Sequence, residues 1–225
     1  MRKPYWQGER AALYGGDAIE VLRELPARSA DCVIVSLPAH HGGDPIRDGG
    51  AVFALLRRVL APGGGVWLHL PYLFQAEDPT GAAWHAVRAR MADGWNLSET
   101  LILPPERATA SPCGALLLLR RSDDRRLPGW RAARPPIRQD AGAWRSNRTT
   151  GHLAPRFDPL AIDVAAWCVT RSCRDTGTVL DPYARGGAVG VAALGLGRRY
   201  LGIEAREAYL GLARRRLTFA SGTAA

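Results

Sequence analysis

Apolar positions along this chain fall into two alternating patterns, short continuous runs and stripes at helical spacing. DCVIVSLP reads as a buried strand. The stretch AVFALLRRVLAPGG reads as a helix, with Val52, Leu55, Leu56, Val59 and Leu60 at helical spacing and a Pro-Gly stop behind it. GVWLHLP is the next strand, and WHAVRARMADG predicts a second helix with Trp84, Val87 and Met91 on one face. NLSETLILP and GALLLLRR predict two more strands. After a long interruption, FDPLAIDVAAWCVTRSC predicts a helix whose Leu160, Val164 and Trp167 share a face. The chain then runs as strand TVLDPYA, a Gly-rich turn, helix AVGVAALGLG, strand RRYLGIEA and helix REAYLGLARRRL. Apolar strands alternating with amphipathic helices predict an α/β fold, a mainly parallel twisted sheet with helices on both faces.

The interruption, residues 122–156, is rich in Arg, Pro and Gly, with Trp130 and Trp144 spaced through it. Such a segment has too little apolar surface for a core and reads as a long surface loop. The 225 residues are therefore expected to form a single domain, 1–225, with one half at 1–121, the basic loop at 122–156, a second half at 157–219 and a frayed tail at 220–225.

A formal net charge of +9 and a pI near 10.1 point to a polyanionic partner, most economically a nucleic-acid backbone. The competing source of that charge is the Arg, Ala and Gly bias of a GC-rich coding sequence, since Lys3 is the only lysine. MRKPYWQGER lacks the apolar core of a signal peptide, and no later run is long enough to cross a bilayer, so a soluble cytoplasmic protein with no membrane partner is expected. Cys32, Cys113, Cys168 and Cys173 form no Cys-x-x-Cys pair and read as structural thiols. His40, His41, His69, His85 and His152 form no ligand spacing, and no metal is expected.

The C-terminal block TVLDPYARGGAVGVAALGLGRRYLGIEAREAYLGLARRRL carries the most chemistry. A strand, a tight Gly-rich turn, a helix and a second strand ending in an acid place a nucleoside over the carboxyl end of a sheet. Glu204 closes the second strand, where a carboxylate accepts hydrogen bonds from two ribose hydroxyls.

The whole block resembles the S-adenosylmethionine region of the permuted, beta-type DNA amino-methyltransferases, which act on N4 of cytosine or N6 of adenine. Val179, Leu180, Asp181, Pro182, Ala184, Gly187, Gly190, Gly197, Arg198, Gly202, Ile203, Glu204, Tyr209, Ala213, Arg216 and Leu217 match that family's pattern, and Tyr183 stands for its Phe. LYGGDAIEVLRELPARSADCVIVSLP is similar to the family's opening, which leads into Ser/Asp-Pro-Pro-Tyr, and GHLAPRFDPLAIDVAAW is similar to the helix before its cofactor strand. The resemblance implies a Rossmann-like S-adenosylmethionine-dependent methyltransferase fold, with S-adenosylmethionine as cofactor and DNA as partner, in a restriction-modification setting. It implies cofactor contacts at Asp17, Asp181, Pro182, Tyr183, Arg185, Gly187 and Glu204, and a catalytic segment at Ser36, Leu37 and Pro38. There the Ser36 side chain and the Leu37 carbonyl accept the hydrogens of the target amine and localise its lone pair for attack on the sulfonium methyl. The family's stacking tyrosine is Ala39 here, leaving His40 or His41 to stack on a base flipped from the helix. The basic loop falls where this family carries target recognition, which gives Arg125, Arg126, Arg131, Arg134, Arg138, Arg145 and Arg148 as phosphate contacts.

A second departure is Arg185 on the first glycine of the cofactor turn. A side chain is disfavoured there if the position needs positive φ, unless Gly186 shifts the register, and a guanidinium repels a sulfonium. Two readings follow. One is an enzyme methylating the exocyclic amine of cytosine or adenine, with Ser36 leaning toward cytosine and with weakened activity. The other is a catalytically inactive relative that binds DNA, or pairs as a homodimer or as a heterodimer with an active methyltransferase.

Overall fold

The computed structural model describes residues 2–36, 49–70, 82–103, 114–123 and 160–222. Its order is β1 (Trp6–Gln7), β2 (Ala11–Gly15), α1 (Ala18–Glu24), β3 (Ala30–Ser36), α2 (Gly49–Val59), β4 (Leu60–Leu70), α3 (Ala82–Ala92), β5 (Trp95–Leu103), β6 (Gly114–Arg121), α4 (Ile162–Ser172), β7 (Thr178–Asp181), α5 (Ala188–Gly195), β8 (Arg199–Glu204) and α6 (Glu207–Ala220). The strands form one 8-stranded sheet in the order β1-β2-β8-β7-β3-β4-β6-β5. β2, β8, β7, β3 and β4 run parallel, β6 is antiparallel to β4, and β5 returns antiparallel to β6.

Alternation along the central strands fills two cores. Cys32 and Ile34 of β3, Trp67 of β4, Val179 of β7 and Tyr200 of β8 pack with the helices α4, α5 and α6. Val33, Val35, Val66, Leu68, Leu180 and Ile203 face the other way, onto α1, α2 and α3. A sheet buried on both faces needs apolar residues at consecutive positions, which is why DCVIV and ALLLL read as unbroken runs. The two halves are also tied by polar contacts. Asp31 at the start of β3 accepts hydrogen bonds from Arg174 Nε at 2.6 Å and from the Thr178 amide at 2.8 Å. Trp67 Nε1 donates to Ser172 Oγ at 2.8 Å across the first core.

The structure corrects several details read from the pattern. The helix at 49–59 stops one residue earlier than its stripe suggests: Leu60 already belongs to β4 and pairs with Ala30, with a register irregularity before Gly65. Leu60 is buried in either conformation, so periodicity does not separate the two. Met91 is 48% exposed, whereas Val87 is buried, so the face shared along α3 does not include Met91. α4 starts at Ile162 behind the extended Ala161, which leaves Leu160 in the preceding chain although it packs in the same core. α6 continues through Ala220, and the Ser221 amide bonds the Leu217 carbonyl, so order extends into the start of the expected tail. The apolar pattern does not predict β1, β2 or α1: β2 is short, and the seven residues of α1 rest on a cap, with the Asp17 side chain accepting from the Ile19 and Glu20 amides.

Candidate active site

The parallel strand order reverses between β3 and β7. From β3 the chain crosses through α2 to β4 on one side, and from β7 through α5 to β8 on the other. Ligands of open α/β sheets bind in the crevice beyond the carboxyl ends of the strands at such a point. Ser36 ends β3, Asp181 ends β7 and Glu204 ends β8, so the topology brings these sequence-predicted residues to one rim.

The turn after β7 is held from several directions. The Ala184 amide bonds the Ile203 carbonyl at 2.8 Å, the Gly187 amide bonds the Ala184 carbonyl at 2.7 Å, and Arg216 Nη1 of α6 bonds the Gly186 carbonyl at 2.7 Å. Glu204 is 6% exposed and accepts the Arg185 amide at 2.7 Å on one oxygen and the Arg206 amide at 2.8 Å on the other. Asp181, also buried, accepts the Tyr183 amide and the Tyr200 hydroxyl. Arg185 itself has φ 45°, so Gly186 does not take over the left-handed position. For a residue with a Cβ that conformation costs about 1–2 kcal/mol. Gly187 has φ 82° where it caps α5.

Two hollows open on this rim. A cleft of about 160 Å³ is lined by Gly16, Asp17, Pro182, Tyr183, Arg185, Glu204, Arg206 and Tyr209, among others. A recess of about 10 Å³ lies between Ser36, Leu160, Asp181, Tyr183, Arg185 and Val189. Tyr183 and Arg185 line both, so they stand between the Glu204 side and the Ser36 side.

At the end of β4, directly opposite Ser36 in the parallel register, is His69. It is 2% exposed, and its Nδ1 lies 2.9 Å from Ser36 Oγ. Burial, and then the Arg185 guanidinium, push its pKa down from 6.5 to about 3, so the imidazole is neutral at physiological pH. The sequence offers His69 only as one of five histidines weighed as metal ligands. The signal for its place is a lone polar residue in the apolar strand GVWLHLP. Among the described residues there is no cluster of His, Cys, Asp and Glu able to hold a metal. Cys32, Cys168 and Cys173 are buried free thiols whose pKa values are raised by burial, as structural cysteines require.

His69 gives stability a pH dependence. The unfolded chain binds a proton here below about pH 6.5 that the folded chain refuses down to about pH 3. The contribution is therefore complete above pH 6.5 and is lost as pH falls, by about 2 kcal/mol between pH 7 and pH 5. Urea denaturation at both pH values should show the wild type losing about that much more stability than His69→Gln.

Leu37, Pro38, Ala39, His40 and His41 lie outside the described residues, as do Cys113, Trp130, Trp144 and the arginines at Arg125, Arg126, Arg131, Arg134, Arg138, Arg145 and Arg148.

No protein-family model matches the chain. Among curated proteins it is similar to the type II methyltransferase M.XycI of Xanthomonas campestris pv. cyanopsidis, with 26% identity over 92% of this chain and 87% of that protein. Among solved structures it superposes on a DNA modification methylase of Thermus thermophilus, TTHA0409, in complex with S-adenosyl-L-methionine, with a TM-score of 0.67, 21% identity and 93% of each chain covered. The cytosine-N4-specific PvuII DNA methyltransferase superposes with a TM-score of 0.71 at 15% identity, over 96% of this chain and 89% of that one. The fold is that of the S-adenosylmethionine-dependent methyltransferases. The likeness to DNA amino-methyltransferases read from the sequence thus extends over nearly the whole chain.

In this methyltransferase fold the cleft beside Glu204 suits the nucleoside part of S-adenosylmethionine. Each carboxylate oxygen of Glu204 has one lone pair occupied by a backbone amide and keeps another for a hydroxyl. Tyr183, Ile203 and Tyr209 supply apolar wall, and no helix among the described residues is long and apolar enough to cross a membrane.

Proposed function

We propose that this chain is an S-adenosylmethionine-dependent DNA methyltransferase acting on an exocyclic amine, N4 of cytosine in preference to N6 of adenine. The observation that carries the reading is the meeting of Ser36, Asp181 and Glu204 at the switch point of the sheet, with the Glu204 cleft and the Ser36 recess separated only by Tyr183 and Arg185. Glu204 holds the ribose, Tyr183 walls the nucleoside, and Asp17, Asp181, Pro182 and Gly187 shape the turn around it. The cofactor, when bound, supplies an electrophilic methyl group on a sulfonium. Ser36 accepts a hydrogen of the target amine and, with the Leu37 carbonyl and the support of Pro38, draws its lone pair out of conjugation with the ring. His40 stacks on the extruded base, and the arginines of residues 122–156 neutralise phosphates. The net charge of +9 suits such a partner.

Isotope-labelled methyl incorporation into mixed-sequence duplex DNA, followed by digestion and mass spectrometry of the nucleosides, tests this reading. N4-methylcytosine is expected, with Ser36→Ala reducing its rate at least a hundredfold. N6-methyladenine would correct the base. No methylated nucleoside at saturating cofactor would overturn the enzymatic reading.

A second reading is favoured by Arg185, whose positive φ and position between the two hollows set a fixed cation where a sulfonium must come. In it the chain is a silent member of the fold that binds DNA, as a homodimer or beside an active methyltransferase. DNA binding without cofactor binding would favour it.

A further inference from the structure

Ser36 and His69 form a buried pair that spans the carboxyl ends of two adjacent parallel strands. Their Cα positions are register partners, and the Oγ to Nδ1 distance is 2.9 Å. Both side chains are nearly closed to solvent, at 6% and 2% exposure, so neither meets its hydrogen-bonding needs with bulk water. Two arrangements of the single bond between them exist, and they have opposite chemical consequences. If Nδ1 carries the hydrogen, it donates to the serine oxygen, and the serine hydroxyl is free to donate into the recess, where it would tie up an amine lone pair. If Nδ1 is bare, the hydroxyl hydrogen turns back into the protein, and the serine oxygen faces the recess as an acceptor only.

We propose that His69 is a positioning residue: its bare Nδ1 takes the Ser36 hydroxyl hydrogen, so that the serine oxygen can only accept from the target amine. The proposal rests on the reading of Ser36 as the amine's acceptor. A serine is otherwise ambiguous at this task, because a hydroxyl donates as readily as it accepts, whereas an aspartate in the same place only accepts. A neutral imidazole behind the serine removes that ambiguity. Arg185 contributes at a distance. Its guanidinium, reaching the same recess from the turn after β7, disfavours a protonated imidazole that would have to donate at Nδ1. The same surroundings make His69 a poor base, so it orients the hydroxyl and does not take up the amine's proton.

Nitrogen-resolved NMR of the histidine side chains in the full-length protein, with His69 assigned by the signal missing in His69→Gln, tests the proposal without any methylation. The expected spectrum has Nε2 protonated and Nδ1 bare, with a chemical shift that stays constant from pH 8 to pH 5; Ser36→Ala should shift the Nδ1 resonance. A protonated Nδ1, or titration near pH 6.5, overturns the proposal. In methylation assays, His69→Leu should lower kcat about tenfold to a hundredfold with the KM for cofactor unchanged, and His69→Asn, whose amide oxygen can accept near the Nδ1 position, should recover part of the loss. If the wild type methylates no DNA while the NMR result holds, the enzymatic reading fails and the hydrogen-bond assignment stands. An active wild type with His69→Leu at full kcat overturns the proposal alone.

Discussion

Replacing Arg185 by glycine is expected to tighten S-adenosylmethionine binding at least tenfold. Arg185 lines both hollows of the site and its charge reaches the buried His69, so a bound sulfonium sits within several ångströms of a fixed guanidinium. Two like charges about 6 Å apart at an effective dielectric constant of about 20 repel by about 3 kcal/mol, and each 1.4 kcal/mol is a factor of about ten in affinity. The effect on folding should be small. Glycine relieves about 1–2 kcal/mol of left-handed strain at φ 45° but gives back about 0.5–1 kcal/mol in the entropy of the unfolded chain. Calorimetric titration of both proteins with S-adenosylmethionine and with its neutral thioether product separates charge from shape. Tightening confined to the sulfonium form identifies charge. Equal tightening of both identifies the bulk of the side chain, and unchanged affinity for both means that the guanidinium stands clear of the ligand.

The second large effect is at Glu204. Glu204→Ala should destroy cofactor binding, by more than a hundredfold, and also destabilise the fold by about 2–4 kcal/mol, because the amides of Arg185 and Arg206 lose their carboxylate acceptor in a buried place. Glu204→Gln distinguishes the two roles. Its single carbonyl oxygen satisfies one amide and turns an NH₂ group toward the other, so part of the stability loss should persist while ribose binding stays weak. Urea denaturation and calorimetric titration read the two quantities separately. Glu204→Ala with wild-type affinity would remove the carboxylate from the ligand site.

The central strands and the helices after β3 are legible in the sequence because a doubly covered sheet writes itself as unbroken apolar runs between amphipathic stripes. Leu60 and Met91 mark the limit of that signal: one is buried in helix and strand alike, and the other sits on a helix whose packed face is narrow. β2 and α1 escape it because they draw their stability from partners, β2 from β8 and α1 from the Asp17 cap, and neither has the length to show a period. Site residues on strand ends, Ser36, Asp181 and Glu204, follow from the motif that surrounds them. His69 does not, since its meaning depends on which residue lies across the register, and strand pairing is not written in local sequence. The left-handed backbone of Arg185 is legible through its place in the turn and is realised without a shift onto Gly186.

The sheet order also governs how the molecule can come into being. β3 and β7 are neighbours joined through Asp31 and Thr178, which are 147 residues apart in the chain. During synthesis from the N-terminus, β2, β3 and β4 emerge long before β7 and β8 can pair with them. Through that interval β3 presents an unpaired edge rich in Val and Ile, a template for pairing with another nascent chain. Contacts so distant in sequence also slow closure of the sheet. The arrangement that sets Ser36 beside Asp181 therefore makes refolding concentration-dependent: dilution should raise the yield of active monomer, and a truncated chain that ends before β7 should aggregate rather than form half a domain.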